Sequence, residues 1–161
     1  TNANHAGIMA TAGTVLSNSY LLEIEKFFPE IVVSQEACHE WVSLVESGKH
    51  HSPEADEPVR QHVENLLAKD KEIDAILLAC THYPLLIDKI SQFVPEGIAI
   101  ISQGQIVAES LAQYLENHPE IAEKCSTEMK RTFFTTGSTA DFDNHASVFF
   151  GQPVAAKSIK L

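Results

Sequence analysis

A thiol, a hydroxyl and an imidazole stand in a row at Cys80, Thr81 and His82, directly after the apolar run Ala75 to Ala79 and directly before Tyr83 and Pro84. A buried strand ending at Cys80 puts the thiol at the carboxyl mouth of a sheet, where ligands bind in α/β folds. Pro84 marks a first helical turn, because its fixed φ fits there and its missing N–H costs nothing. Tyr83, preceding a proline, is held out of the helical region. The thiol therefore lies beside the amino end of a helix, whose free N–H groups favour a thiolate and can dock a carboxylate. His82 can add positive charge or move a proton. The competing reading makes Cys80 one more small apolar core residue, as most free cysteines are.

A second group is Thr11 and Thr14, which follow the first strand-like run and open a helix. Hydroxyl and N–H groups in that geometry hold a carboxylate, or simply cap the helix, and the two roles can coexist. The three cysteines, Cys38, Cys80 and Cys125, are an odd and widely spaced set. They match neither a disulfide framework nor a CxxC zinc pattern. Cys38 reads as core and Cys125 shows no motif. His50 and His51 read as part of a solvated loop, and with Cys38 and His39 they lack zinc-site spacing, so no metal is expected.

The elements that must position these groups alternate along the chain. Strand-length apolar runs recur at Gly7 to Ala10, Glu30 to Ser34, Asp74 to Ala79, Ile98 to Ile101, Thr132 to Thr135 and Val154 to Ile159. Between them, helical spacing places Leu16, Tyr20, Ile24, Phe27 and Phe28 on one face, then Ala55, Val59, Val63, Leu66 and Leu67 on another. The same spacing relates Leu86, Ile90, Phe93 and Val94, and again Val107, Leu111, Tyr114 and Leu115. The polar stretch 49–58 predicts a surface loop leading into a helix after Pro58. This β-α order, with a run at Ala75 to Ala79 apolar on both faces, predicts an α/β fold of three layers with a mainly parallel sheet.

Composition narrows the function classes. The chain has 161 residues, 44% of them hydrophobic and 20% charged, which suits a folded globular domain. A net charge of -11 argues against nucleic acid and anionic membrane surfaces, both of which select basic patches. No apolar stretch approaches a membrane span and the start carries no signal pattern, so a cytoplasmic protein is expected. The chain opens on Thr1 with a strand-like run close behind, which implies a further segment upstream.

Ala79-Cys-Thr-His-Tyr-Pro-Leu-Leu86 resembles the CTHYPLL block of glutamate racemases. Ala10-Thr-Ala-Gly-Thr-Val-Leu-Ser-Asn-Ser-Tyr20 is similar to the family's Thr-x-x-Thr-x-x-Ser-x-x-Tyr segment, and Ala37 to Gly48 to its Cys-Pro-x-x-Val-x-x-x-Glu block. Phe133 to Gly137 and Phe149 to Gly151 also fit. His39 stands where the family usually has Pro, and Ile101-Ser-Gln-Gly104 where many members have Ile-Asp-Ser-Gly. The resemblance covers nearly all of this chain but only the later part of the family's, without the upstream motifs that bring the first catalytic cysteine.

The resemblance implies interconversion of L- and D-glutamate for peptidoglycan synthesis, using two thiols and no pyridoxal phosphate, metal or nucleotide. Inverting an α-carbon means removing a weakly acidic proton from one face and returning one to the other, and a thiol on each face does both. By resemblance Cys80 is the second of these thiols, His82 assists its proton transfer, and Thr81, Thr11 and Thr14 bind substrate. Glu46 matches a family glutamate that engages the substrate ammonium or orients His82; a solvated helix-end carboxylate is the alternative. The family's pattern implies that residues 1–103 form the second racemase domain, and that 104–161 complete the first. Apolar residues such as Val107, Leu111 and Phe149 would then need cover from a second chain, an exchanged segment, or repacking against residues 1–103, and a homo-oligomer or association with the missing upstream half is expected. A racemase of aspartate or a hydantoin, and a non-catalytic amino-acid-binding or partner-binding module, are the rival functions.

Overall fold

In the computed structural model, which describes residues 1–128 and 130–160, each of the first four strands leads into helix. β1 (His5–Ala10) precedes α1 (Ala12–Ser17) and α2 (Ser19–Phe27), and β2 (Val32–Ala37) precedes α3 (Trp41–Glu46) and α4 (Asp56–Lys69). β3 (Ala75–Leu78) leads to α5 (Ile87–Phe93), and β4 (Ala99–Ser102) runs directly into α6 (Gln103–Asn117). α7 (Pro119–Ala122), β5 (Phe133–Thr135), α8 (Thr139–Phe150) and β6 (Ala156–Ser158) follow. The first four strands form one sheet in the order β2-β1-β3-β4 with every pair parallel, and β5 pairs with β6, also in parallel. The fold is α/β, a mostly parallel sheet with helices on both sides. The chain divides into two compact units, Thr1–Glu109 and Ser110–Leu161.

The first unit's core explains why its elements sit where they do. Val59, Val63 and Leu66, spaced four and three apart on α4, are fully buried with Met9, Ile76 and Leu78 of the two central strands. Gly7 allows this close approach, since a Cβ there would lie 2.8 Å from Leu66 Cδ2. Trp41 and Tyr83 meet edge to face with ring centroids 4.9 Å apart, and Tyr83 Oη donates to the Cys38 carbonyl at 3.1 Å. Through these contacts α3 is joined to the turn that follows Cys80. Trp41→Ala is expected to cost about 3–5 kcal/mol, the range for emptying a buried aromatic site, read as a lowered melting temperature with the secondary structure otherwise retained.

A polar cluster fixes the turn between β2 and α3. His62 on α4 places Nδ1 2.8 Å from Glu36 Oε1 and Nε2 3.1 Å from Glu40 Oε2, while Lys69 Nζ donates to Glu36 Oε2 at 2.6 Å. Burial pushes the Glu36 carboxyl upward, yet hydrogen bonds from Lys69, His62 and Asn65 outweigh it and hold the group below the usual range.

The second strand begins later than expected and extends to Ala37, because β1 offers it ladder partners up to Ala10. The segment from Leu16 to Phe28 is two helices broken at Asn18, whose φ of 53° is left-handed. No residue of either helix is buried, and Leu16 is 82% exposed. The α4 helix starts before Pro58, which fits its first turn. His50 is no loop-surface residue: it is 4% exposed, and burial first, then the charge of His51, push its imidazole pKa down. Val107, Leu111 and Phe149 are exposed.

Candidate active site

The carboxyl edge of the parallel sheet builds the site. The ladder continues one residue past β3, where Ala79 N donates to the Met9 carbonyl at 2.9 Å, and Cys80 then leaves the sheet. Tyr83 N donates to the Cys80 carbonyl at 3.2 Å, closing the turn, and a 3-10 segment, Tyr83–Leu86, carries Pro84 in its first positions. The expected helix after Cys80 is thus this short 3-10 turn running into α5, with a weaker axial dipole than a long helix would supply. Half-buried Cys80 and exposed Thr81 line a cavity of about 390 Å³, together with Leu78, Ala79 and Pro84 from the same stretch and Gln103, Gly104 and Val107 from α6. That volume suits a small ligand.

Behind the thiol stands a carboxylate–imidazole pair. His82 Nδ1 lies 3.7 Å from Cys80 Sγ, and His82 Nε2 lies 3.4 Å from Glu46 Oε1 at the end of α3. His82 occupies the position before the 3-10 turn, but its side chain makes no capping bond there. The order carboxylate, imidazole, thiol is that of an acid/base relay, in which the carboxylate orients the ring and the ring exchanges protons with sulfur.

Thr11 and Thr14 sit at the end of β1, the strand beside β3. Thr11 caps α1, its Oγ1 accepting from Thr14 N at 3.4 Å, and the two hydroxyl oxygens are 3.0 Å apart. They share the sheet edge with Cys80 but are not among the residues lining its cavity. Cys38 is buried in the core, where burial above all, and then the Glu36 charge, push its thiol pKa far up. Cys125 is exposed, with Sγ 3.6 Å from the Ile121 carbonyl. Among the described residues no group of three or more His, Cys, Asp or Glu could hold a metal ion. No described helix is long and apolar enough to cross a membrane.

Sequence reasoning passed over one cavity residue with a functional group. Gln103 begins α6 directly after β4, and its Nε2 donates to Tyr20 Oη at 2.5 Å. The available signal was the departure at Ile101-Ser-Gln-Gly104, which marked the loop without assigning it a partner.

No family model matches the chain. It is 35% identical over 162 residues to the glutamate racemase of Listeria monocytogenes serotype 4a, covering all of this chain and 60% of the relative. It is 36% identical over 154 residues to that of Bacillus cereus, covering 96% of this chain and 56% of the relative. Among solved structures, a glutamate racemase isoform from Bacillus anthracis matches with a TM-score of 0.87 at 28% identity, covering 100% of this chain and 59% of that one. Escherichia coli glutamate racemase, solved with L-glutamate and the activator UDP-MurNAc-ala, matches with a TM-score of 0.73 at 25% identity, covering 98% and 58%. The chain therefore spans about 60% of the length of these relatives.

Proposed function

We propose that this chain, homologous along its whole length to the C-terminal part of glutamate racemases, supplies one acid/base face of a cofactor-independent glutamate racemase serving peptidoglycan synthesis. The observation that carries the reading is the Cys80 thiol in a cavity wall with His82 and Glu46 aligned behind it.

In this reading the Cys80 thiolate takes the α-proton of one enantiomer, and the C–H electron pair stays on the α-carbon, delocalised toward the carboxylate. A thiol on the opposite face then donates its own proton to that carbon. In the reverse direction Cys80 is the donor. His82 moves protons to and from the sulfur while Glu46 orients the ring, and Thr81 binds substrate beside the thiol. Thr11 and Thr14 offer hydroxyls at the same sheet edge for a carboxylate, a role compatible with the cap that Thr11 forms. The opposite thiol comes from the part of the relatives that this chain does not match. On the same reading residues 1–103 are the second racemase domain and 104–161 complete the first. Exposed Val107 and Leu111 are then covered by that upstream half or by another copy.

The test is protection of Cys80 from alkylation. Iodoacetamide followed by peptide mass mapping should show Cys80 and Cys125 modified and buried Cys38 spared. Glutamate should slow modification of Cys80 alone, leaving Cys125 as the internal control. Equal labelling of Cys80 with and without either enantiomer would remove glutamate from this cavity.

His82→Asn, made in a protein of the relatives' full length, should lower kcat by about 10²-fold, the lower end for a positioned acid/base group. The loss should differ between L-to-D and D-to-L directions, because the residue serves one face. An unchanged melting temperature separates this from a fold defect.

A further inference from the structure

Gln103 ties the sequence departure after β4 to the chemistry of the cavity. Its amide carries two N–H donors on nitrogen and an acceptor oxygen, and Nε2 is turned to Tyr20 Oη on α2 at 2.5 Å. That leaves the carbonyl oxygen for another donor, in a residue that lines the same cavity as Cys80 and Thr81. The other side chains of this wall are aliphatic, and no carboxylate lines it. An α-amino acid brings an ammonium group whose donors need acceptors once water is displaced. Of the side-chain groups in the wall, the amide oxygen is the strongest uncharged acceptor.

We propose that Gln103 is a specificity-determining residue of the Cys80 cavity, its carbonyl oxygen accepting a hydrogen bond from the ammonium of a bound amino acid. Tyr20 is then a positioning residue that holds the amide with its oxygen available. The inference rests on the reading of this cavity as an amino-acid site. It predicts discrimination between glutamate and glutarate, which has the same two carboxylates and no ammonium. With the amide reversed, Tyr20 would donate to the oxygen, the NH₂ group would face the ligand, and the selected group would be a carboxylate.

The experiment measures binding of L-glutamate, D-glutamate and glutarate to the 161-residue chain by NMR titration. The unaltered chain is compared with Gln103→Leu, Gln103→Glu and Tyr20→Phe, each checked for folding by its melting curve. Gln103→Leu should weaken glutamate by roughly tenfold, as expected for losing a hydrogen bond to a charged group, with glutarate little changed. Gln103→Glu should retain glutamate and weaken glutarate, since a carboxylate attracts the ammonium and repels the dianion. Tyr20→Phe should weaken glutamate by a smaller factor and leave glutarate alone. If Gln103→Leu does not fold, the other two variants decide. Equal weakening of both ligands, no weakening of either, or weakening of glutarate alone overturns the inference while the amino-acid site stands. An unaltered chain that binds no glutamate overturns both.

Discussion

Cys80→Ala, introduced into a protein of the relatives' full length, is expected to abolish interconversion in both directions, lowering kcat/KM by at least about 10³-fold. Each direction needs a base on one face and an acid on the other, so removing either thiol stops both. No neighbour can take over. His82 is 3.7 Å behind the sulfur, Thr81 has no useful acidity near neutral pH, and Cys38 is buried with its thiol pKa pushed far up. The substitution removes one half-buried sulfur from a wall, so the melting temperature should change little. Chiral chromatography of the product from each enantiomer reads the result; racemisation at the normal rate would remove Cys80 from the chemistry.

The alternation of strands and helices and the strand-end position of Cys80 were legible because they rest on local signals. Ala75 to Leu78 is short, apolar on both faces and followed by a proline-marked turn, which few other arrangements satisfy. The helices that pack on the sheet were legible for the same reason: Val59, Val63 and Leu66 are spaced for one face and all are buried. The same periodicity around Leu16 and Phe27 predicted a helical face without showing whether anything covers it, and both residues are exposed. Periodicity also passed over the break at Asn18, where one left-handed residue splits the helix. Contacts between distant segments carry no sequence signal of their own. Tyr83 reaching the Cys38 carbonyl and Gln103 donating to Tyr20 depend on the crossovers of a folded sheet, whereas Glu46 beside His82 was one of the two roles that the family resemblance offered. His50 was misread because polar neighbours such as His51 and Ser52 suggested solvent, whereas its ring is buried.

The 161-residue chain on its own is expected to leave the optical activity of both glutamate enantiomers unchanged over time. The Cys80 cavity is lined by one thiol. Cys38 cannot supply the other, because burial disfavours its thiolate, and exposed Cys125 is not in the wall of that cavity. A one-thiol face can hold a ligand and exchange a proton with it, but it cannot deliver a proton to the opposite side of the carbon. Circular dichroism of L- and D-glutamate with a chain of verified mass reads this outcome. The signal should decay only when the chain is joined to the upstream half of its relatives, and a sustained decay with the chain alone would refute the division of the site.

The claim that Cys80 serves one face of the substrate is tested most directly by solvent deuterium incorporation at the α-carbon, using Cys80→Ser in the full-length protein. Each enantiomer is supplied separately in D₂O, with loss of the α-proton followed by ¹H NMR and inversion by circular dichroism. The enantiomer handled by the remaining thiol should exchange its α-proton without inverting, while the other keeps its proton. Equal exchange from both enantiomers, or inversion at the normal rate, would contradict it.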